Sequence, residues 1–185
     1  MATKKEREEM EKSNLIIPMR KVYVVSTIVA IFVIVFPFRY LIREEVIRND
    51  IYSHSYLLYF LLSLIIAIVL HEALHALVFR MEGAKKEEIS FGIKWWTIVP
   101  APYVHCDAEL KVSSFKRSLI MPFIVLGLIP LGIGLIIGSG TVVLFGLTMI
   151  AGSIGDLLMF QLLYSLPADQ QMKDHPSLAG YTVRV

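Results

Sequence analysis

The run Tyr56–Phe79, YLLYFLLSLIIAIVLHEALHALVF, decides the fold. A bilayer is crossed by about 20 apolar helical residues, and this run is long enough to do it. Near its end it breaks its own pattern. His71, Glu72 and His75 place three ionisable groups within one helical turn of an otherwise apolar segment. Such groups are expensive inside a membrane and call for a functional reason.

The three residues spell H-E-x-x-H. Two His residues four apart lie on one face of a helix, one turn above each other. That spacing lets both imidazoles ligate one Zn²⁺. Glu72 projects beside the metal position, where a carboxylate can take a proton from the attacking water.

Composition agrees with a membrane setting. Of 185 residues, 56% are hydrophobic, and the mean hydropathy is +0.64. The formal charge is +2, and the basic residues flank apolar runs rather than forming a stripe, which argues against a nucleic-acid partner. Cys106 is the one cysteine, so no intrachain disulfide and no cysteine-based zinc cluster can form. The charged residues 1–14 are not followed by a short apolar stretch with a small-residue cleavage site, so no cleavable signal peptide is expected.

Apolar runs predict four membrane helices at about 22–38, 55–79, 119–137 and 141–166, within one membrane-embedded domain covering 1–185. Residues 1–21 and 167–185 are expected as tails, and 80–118 as a loop. Gly138-Ser139-Gly140 reads as a tight turn between the last two spans. The two tails and the 80–118 loop carry 15 Lys and Arg, against 3 on the other side (Arg39, Arg43 and Arg48). By the positive-inside rule both termini and the loop face the cytoplasm.

Within the loop, Glu88–Trp96 and Pro102–Cys106 are rich in β-branched and aromatic residues, and they predict a small β-hairpin at the cytoplasmic membrane surface. The expected fold class is therefore an all-α membrane protein, four transmembrane helices plus this hairpin. Trp95, Trp96 and Tyr103 suit the interfacial zone. With His105 they are candidates for contact with a substrate held by strand addition to the hairpin.

A catalytic zinc usually takes three protein ligands. The long H-E-x-x-H-x-x-G-x-x-H form is absent, and no apolar segment after the motif contains Glu. Asp156 is the one ionisable group of the fourth span. At about 1.5 Å per residue, His71, His75 and Asp156 lie roughly 12, 6 and 15 Å from the expected cytoplasmic ends of their spans, so their depths are compatible with one site. Gly152, Ser153 and Gly155 beside Asp156 are small enough for a close helix approach.

These features resemble the site-2 protease family of intramembrane zinc metalloproteases, which share a metal-binding H-E-x-x-H in one span, an Asp in a later span and a β element between. The compact four-span format is closer still to a small bacterial family of membrane proteins, of unknown function, described as "putative zincin peptidases". The resemblance covers about residues 55–166. It implies Zn²⁺ as cofactor, His71, His75 and Asp156 as its ligands, and Glu72 as general base. It also implies a bacterial cell membrane and a membrane-inserted polypeptide as substrate. One departure stands out. The site-2 pattern has Asn-x-x-Pro before an Asp-Gly pair, where this chain has Ser153-Ile154-Gly155-Asp156-Leu157.

Blander readings stand beside these. The His–Glu–His group makes a polar seam between helices, or holds zinc without catalysis, or belongs to a small proton or metal transporter. Asp156 bonds a backbone group or orients a His. His105 is a surface strand residue, His175 belongs to a solvated tail, and the charge run at 4–12 is a solvated or membrane-surface helix. Oligomeric state is not encoded in any pattern of the sequence.

Overall fold

The computed structural model describes residues 14–47, 54–95, 100–175 and 180–183. Four helices long and apolar enough to cross a membrane dominate it: Val24–Arg43, Leu57–Met81, Val112–Ile137 and Gly140–Leu162. The protein is a multi-pass membrane protein with four spans and small β elements among the described residues. The first span belongs to α1 (Met19–Arg43) and the second to α2 (His54–Met81). The third comprises α3 (Val112–Pro122), a π-helical stretch Phe123–Leu128, and α4 (Ile129–Ile137). The fourth comprises α5 (Gly140–Gly152) and α6 (Ile154–Leu162). Large apolar side chains such as Phe32 and Phe36 of α1 and Ile65, Ile66 and Val69 of α2 are exposed, as a lipid-facing surface requires.

The third span begins seven residues before the apolar run that predicted it at 119. Lys116 and Arg117 mask that extension in the sequence. In the structure Val112, Phe115 and Leu119 bury one stripe of α3, while Arg117 turns outward to Glu82 at the end of α2 (Nε to Oε1, 2.7 Å). The π-helical stretch ends immediately before α4, whose Pro130 lacks the N–H that an unbroken α-helix would use.

The last two spans form the expected hairpin. Gly138 caps α4 in the left-handed region (φ 67°), and Ser139 caps α5 by accepting the Val142 N–H. Backbones meet closely here: a Cβ on Gly146 would lie 2.6 Å from the Leu131 nitrogen. Without a hydrophobic driving force between helices in lipid, such small-residue contacts carry the packing.

The β structure comprises β1 (Asn14–Ile16), β2 (Ile89–Trp95), β3 (Pro100–Cys106), β4 (Leu110–Lys111), β5 (Gln171–Asp174) and β6 (Gly180–Val183). Strands β2 and β3 form the expected antiparallel hairpin, with Ile89 opposite Cys106 and Trp95 opposite Pro100. The described tail residues do not behave as solvated ends. With β4 of the 80–118 segment they build a four-stranded antiparallel sheet in the order β1-β6-β5-β4. Strands of two to four residues are too short to show a period, which is why they were not visible in the sequence. The charged run at 4–12 lies outside the described residues.

This sheet closes over the end of the bundle where α2 ends and α3 begins. Leu110, Met172, Tyr181 and Val183 pack with Phe79, Cys106, Phe115 and Leu163 in one buried cluster. Phe115 meets Phe79 and Tyr181 edge-on, at ring-centroid distances of 5.2 and 5.3 Å. Each such pair is worth about 0.5–1.5 kcal/mol beyond its buried area. The described parts of both tails and of the 80–118 segment therefore gather at one end of the bundle.

Candidate metal centre

His71 and His75 stand one turn apart on α2, ring centroids 5.0 Å apart and planes inclined by 70°. Asp156 comes to them from the first turn of α6. Its Oδ2 lies 2.9 Å from His71 Nε2, and its Oδ1 3.5 Å from His75 Nε2. One donor atom from each of the three residues falls within 4.8 Å of the others.

The arrangement fits zinc. Ligand atoms about 2.0–2.1 Å from a tetrahedral zinc stand about 3.3–3.4 Å from one another, and Asp156 brings one oxygen to 2.9 Å from His71 and the other to 3.5 Å from His75, close to that spacing. The tautomer fits as well. His75 is buried, and its Nδ1 lies 3.0 Å from the backbone oxygen of Ser118 on α3. A carbonyl can only accept, so Nδ1 carries the proton and Nε2 presents its lone pair. Metal-binding imidazoles are oriented in this way by a bond at their other nitrogen. The set of two imidazoles and one carboxylate is that of a catalytic zinc site, which leaves one position open.

The reach of Asp156 has a local cause different from the one expected. A Cβ on Gly155 would meet Val22 of α1 at 3.7 Å, and one on Gly152 would meet nothing within 4 Å, so neither glycine is pressed against α2. What marks the position is a break in the helix. Ser153 is fully buried, and its hydroxyl donates to the Met149 carbonyl one turn back, at 3.0 Å. Back-bonding of this kind bends helices. Helix α5 ends and α6 restarts at this residue, so Asp156 sits in a new first turn, where the helix dipole favours a carboxylate.

Glu72 lies on the same helix in the electrostatic field of His71, His75 and Asp156, and its carboxylate accepts the backbone N–H of Val104 in β3. The hairpin therefore does more than cover a helix end. Its second strand lies beside α2 at the level of Glu72, nine residues before the end of that helix. Two residues further along the strand, the Cys106 N–H donates to Asp174 Oδ2 at 2.8 Å. Successive outward N–H groups on an antiparallel edge are two residues apart, and the Asp107 N–H to Glu88 carbonyl bond fixes the same parity.

The remaining candidates are more dispersed. His105 is held between two carboxylates, Asp107 at 3.1 Å from Nε2 and Asp174 at 3.7 Å from Nδ1. The Tyr103 ring covers Gly92 across the hairpin, where a Cβ would come within 2.6 Å of it. Trp95 ends β2, and Trp96 lies outside the described residues. His175 is half-buried just after β5, its N–H bonded to the Gly180 carbonyl, rather than solvated in a tail.

Two contributors had no signal in the sequence: Ser118, through its carbonyl, and Val104, through its N–H. Burial pushes the Asp174 carboxyl up to about 6, although the bond from Cys106 opposes the shift. Cys106 itself is fully buried, and its thiol is pushed up to about 11 by burial. Just beyond α2, hydrogen bonds from Arg117 and Ser114 hold Glu82 below its ordinary range.

Residues 64–170 match the sequence profile of a protein family described as "Putative zincin peptidase". The chain belongs to this family. It is also 29% identical over 127 residues to a Pyrococcus woesei protein described as "Uncharacterized 24.7 kDa protein in gap 5'region". That similarity covers 68% of this chain and 55% of the relative, so the chain spans about half the length of the curated relative it matches. No solved structure matches the chain. The matched region contains all of His71, Glu72, His75, Val104, Ser118 and Asp156, and the zincin description implies zinc as the metal.

Proposed function

We propose that this zincin-family protein is an intramembrane zinc metalloendopeptidase that hydrolyses peptide bonds of membrane-inserted polypeptides. The observation that carries the reading is the meeting, inside two membrane spans, of two imidazoles and a carboxylate at zinc-ligand spacing with Glu72 beside them. A bound zinc polarises the scissile carbonyl and brings the pKa of the attacking water toward 7.

The chain's own residues supply the rest. His71, His75 and Asp156 hold the metal, with the Ser118 carbonyl fixing the His75 ring. Glu72 takes the proton from the attacking water and passes it to the leaving amine. The Val104 N–H keeps the Glu72 carboxylate from turning away. A helical substrate must unwind before its carbonyls are free, and β3 offers an extended neighbour at this level. The outward N–H groups of Val104 and Cys106 are already spent on Glu72 and Asp174, so an added strand bonds β3 through its carbonyls or displaces a carboxylate.

The gathering of the described parts of both tails and of the 80–118 segment at one end, together with the excess of basic residues in these segments, supports cytoplasmic termini and cleavage near that face. A bacterial cell membrane remains the setting proposed, and residues 1–185 act as one unit.

Glu72→Gln tests the assignment. The amide oxygen still accepts from Val104, so zinc loading should be unchanged. Cleavage of membrane-inserted model substrates in liposomes should fall by about 10²–10⁴-fold, the usual worth of a general base. Undiminished cleavage by the zinc-loaded variant would remove Glu72 from the mechanism. A zinc-loaded wild type inert toward every substrate would favour a non-catalytic zinc protein instead.

A further inference from the structure

Asp174 is a buried carboxylate that the chemistry above does not use. It lies on β5, in the C-terminal segment, opposite Tyr181 of β6. Its side chain is only 17% exposed. Around it stand His105 and Asp107 from the end of β3, the Cys106 N–H, Tyr181 and, on α2, His75. A carboxylate so placed costs stability unless it makes bonds that matter.

Among the described residues, the closest bond of its side chain is to the edge of β3. Asp174 Oδ2 accepts the Cys106 N–H at 2.8 Å, on the same edge from which the Val104 N–H reaches Glu72. The two donors are two residues apart, about 6.6–6.8 Å along a strand. Two carboxylates from different parts of the chain therefore clamp one short backbone segment, Asp174 at the root of the hairpin and Glu72 on the α2 side. His105, between the two donors, is steered by Asp174 at its Nδ1.

We propose that Asp174 is a positioning residue for Glu72, acting through β3: by holding Cys106 it fixes where the Val104 N–H stands, and hence where the Glu72 carboxylate points. The C-terminal sheet is then a working part of the site, acting on β3 through the Cys106–Asp174 hydrogen bond. This rests on the peptidase reading for its kinetic consequence but not for its structural one.

The two parts are tested together on the full-length protein in detergent or liposomes. Asp174→Ala removes the acceptor, whereas Asp174→Asn keeps an oxygen in place for the Cys106 N–H. In Asp174→Ala the amides of Val104 and Cys106 should exchange with deuterium about tenfold faster, kcat should fall about tenfold and KM should stay within about twofold, a tenfold change being what a hydrogen bond of ordinary strength is worth. Zinc content should be unchanged. Asp174→Asn should restore both exchange and kcat to near wild type. Val104→Pro, which deletes the N–H on an edge where no ladder bond is lost, should reproduce the kcat loss, and combining it with Asp174→Ala should add little.

Three results would overturn the proposal: unchanged amide exchange in Asp174→Ala, an Asn variant as impaired as the Ala variant, or a loosened strand with full kcat. An inactive wild type would sink the peptidase reading and with it the kinetic half, while the exchange experiment would still decide whether Asp174 holds β3.

Discussion

Replacing Asp156 by Ala leaves His71 and His75 in place on α2 and removes the one donor supplied by the fourth span. The size of the loss follows from the coordination. Four-ligand protein zinc sites bind with about 10–16 kcal/mol, or about 3 kcal/mol per ligand, so losing one should weaken binding roughly 10²–10³-fold. The Asp156 oxygens lie 2.9 and 3.5 Å from the two Nε2 atoms, within reach of a shared metal. The assay is a competition titration of metal-free protein in detergent against a zinc chelator of known affinity, with helicity monitored to show that the bundle survives. His71→Ala should lose a similar amount. Ser118→Ala should lose far less, because the backbone oxygen at 3.0 Å, rather than the hydroxyl at 3.3 Å, is the principal partner of His75 Nδ1. If Asp156→Ala keeps zinc affinity within about threefold of wild type, Asp156 is not a ligand. The third donor would then have to come from elsewhere, with His105 and His175 the next to test.

Cys106 should resist alkylation in the folded protein: at pH 8 a thiol pushed up to about 11 is only about one part in a thousand thiolate, and it has no exposed surface. Rapid labelling by a maleimide under native conditions would show that the C-terminal sheet opens. Gly146→Ala should destabilise the bundle by about 1–3 kcal/mol in thermal unfolding, because its Cβ meets the backbone of Leu131 and Gly127; Gly132→Ala, with nothing within 4 Å, should be neutral or mildly stabilising. A Gly146 variant as stable as the Gly132 variant would refute the close contact of the last two spans. The folded carboxyl of Asp174 is raised to about 6 from an ordinary 3.8, so the folded state binds the proton more tightly. Its stabilising contribution is full below about pH 4 and is lost as pH rises through about 6, and Asp174→Asn should flatten that slope in a pH series of unfolding midpoints.

Much of this architecture is legible in the linear chain because a membrane imposes simple rules. A span must be long and apolar, so the four runs and the Gly138-Ser139-Gly140 turn declare themselves. The H-E-x-x-H spacing places two imidazoles on one face of α2 by helical geometry alone, and any chain with His71 and His75 in a helix would present them so. Asp156 is conspicuous for a related reason: it is the one ionisable residue in its span.

What only the tertiary structure decided is how separated pieces meet. That Asp156 comes within 2.9 Å of His71 goes with the break at Ser153 between α5 and α6, which leaves no periodic trace in the sequence. The Ser118 carbonyl on His75 and the Val104 N–H on Glu72 are backbone groups, and every residue has those, so no residue type could advertise them. The C-terminal segment looks like a polar tail because its strands are four residues long and pair with partners as far away as Asn14 and Leu110. Helix period and apolar length are local properties, carried by neighbouring residues. Strand pairing, backbone hydrogen bonds and the burial of Asp174 are set by contacts between distant segments, and they exist only once the chain has closed on itself.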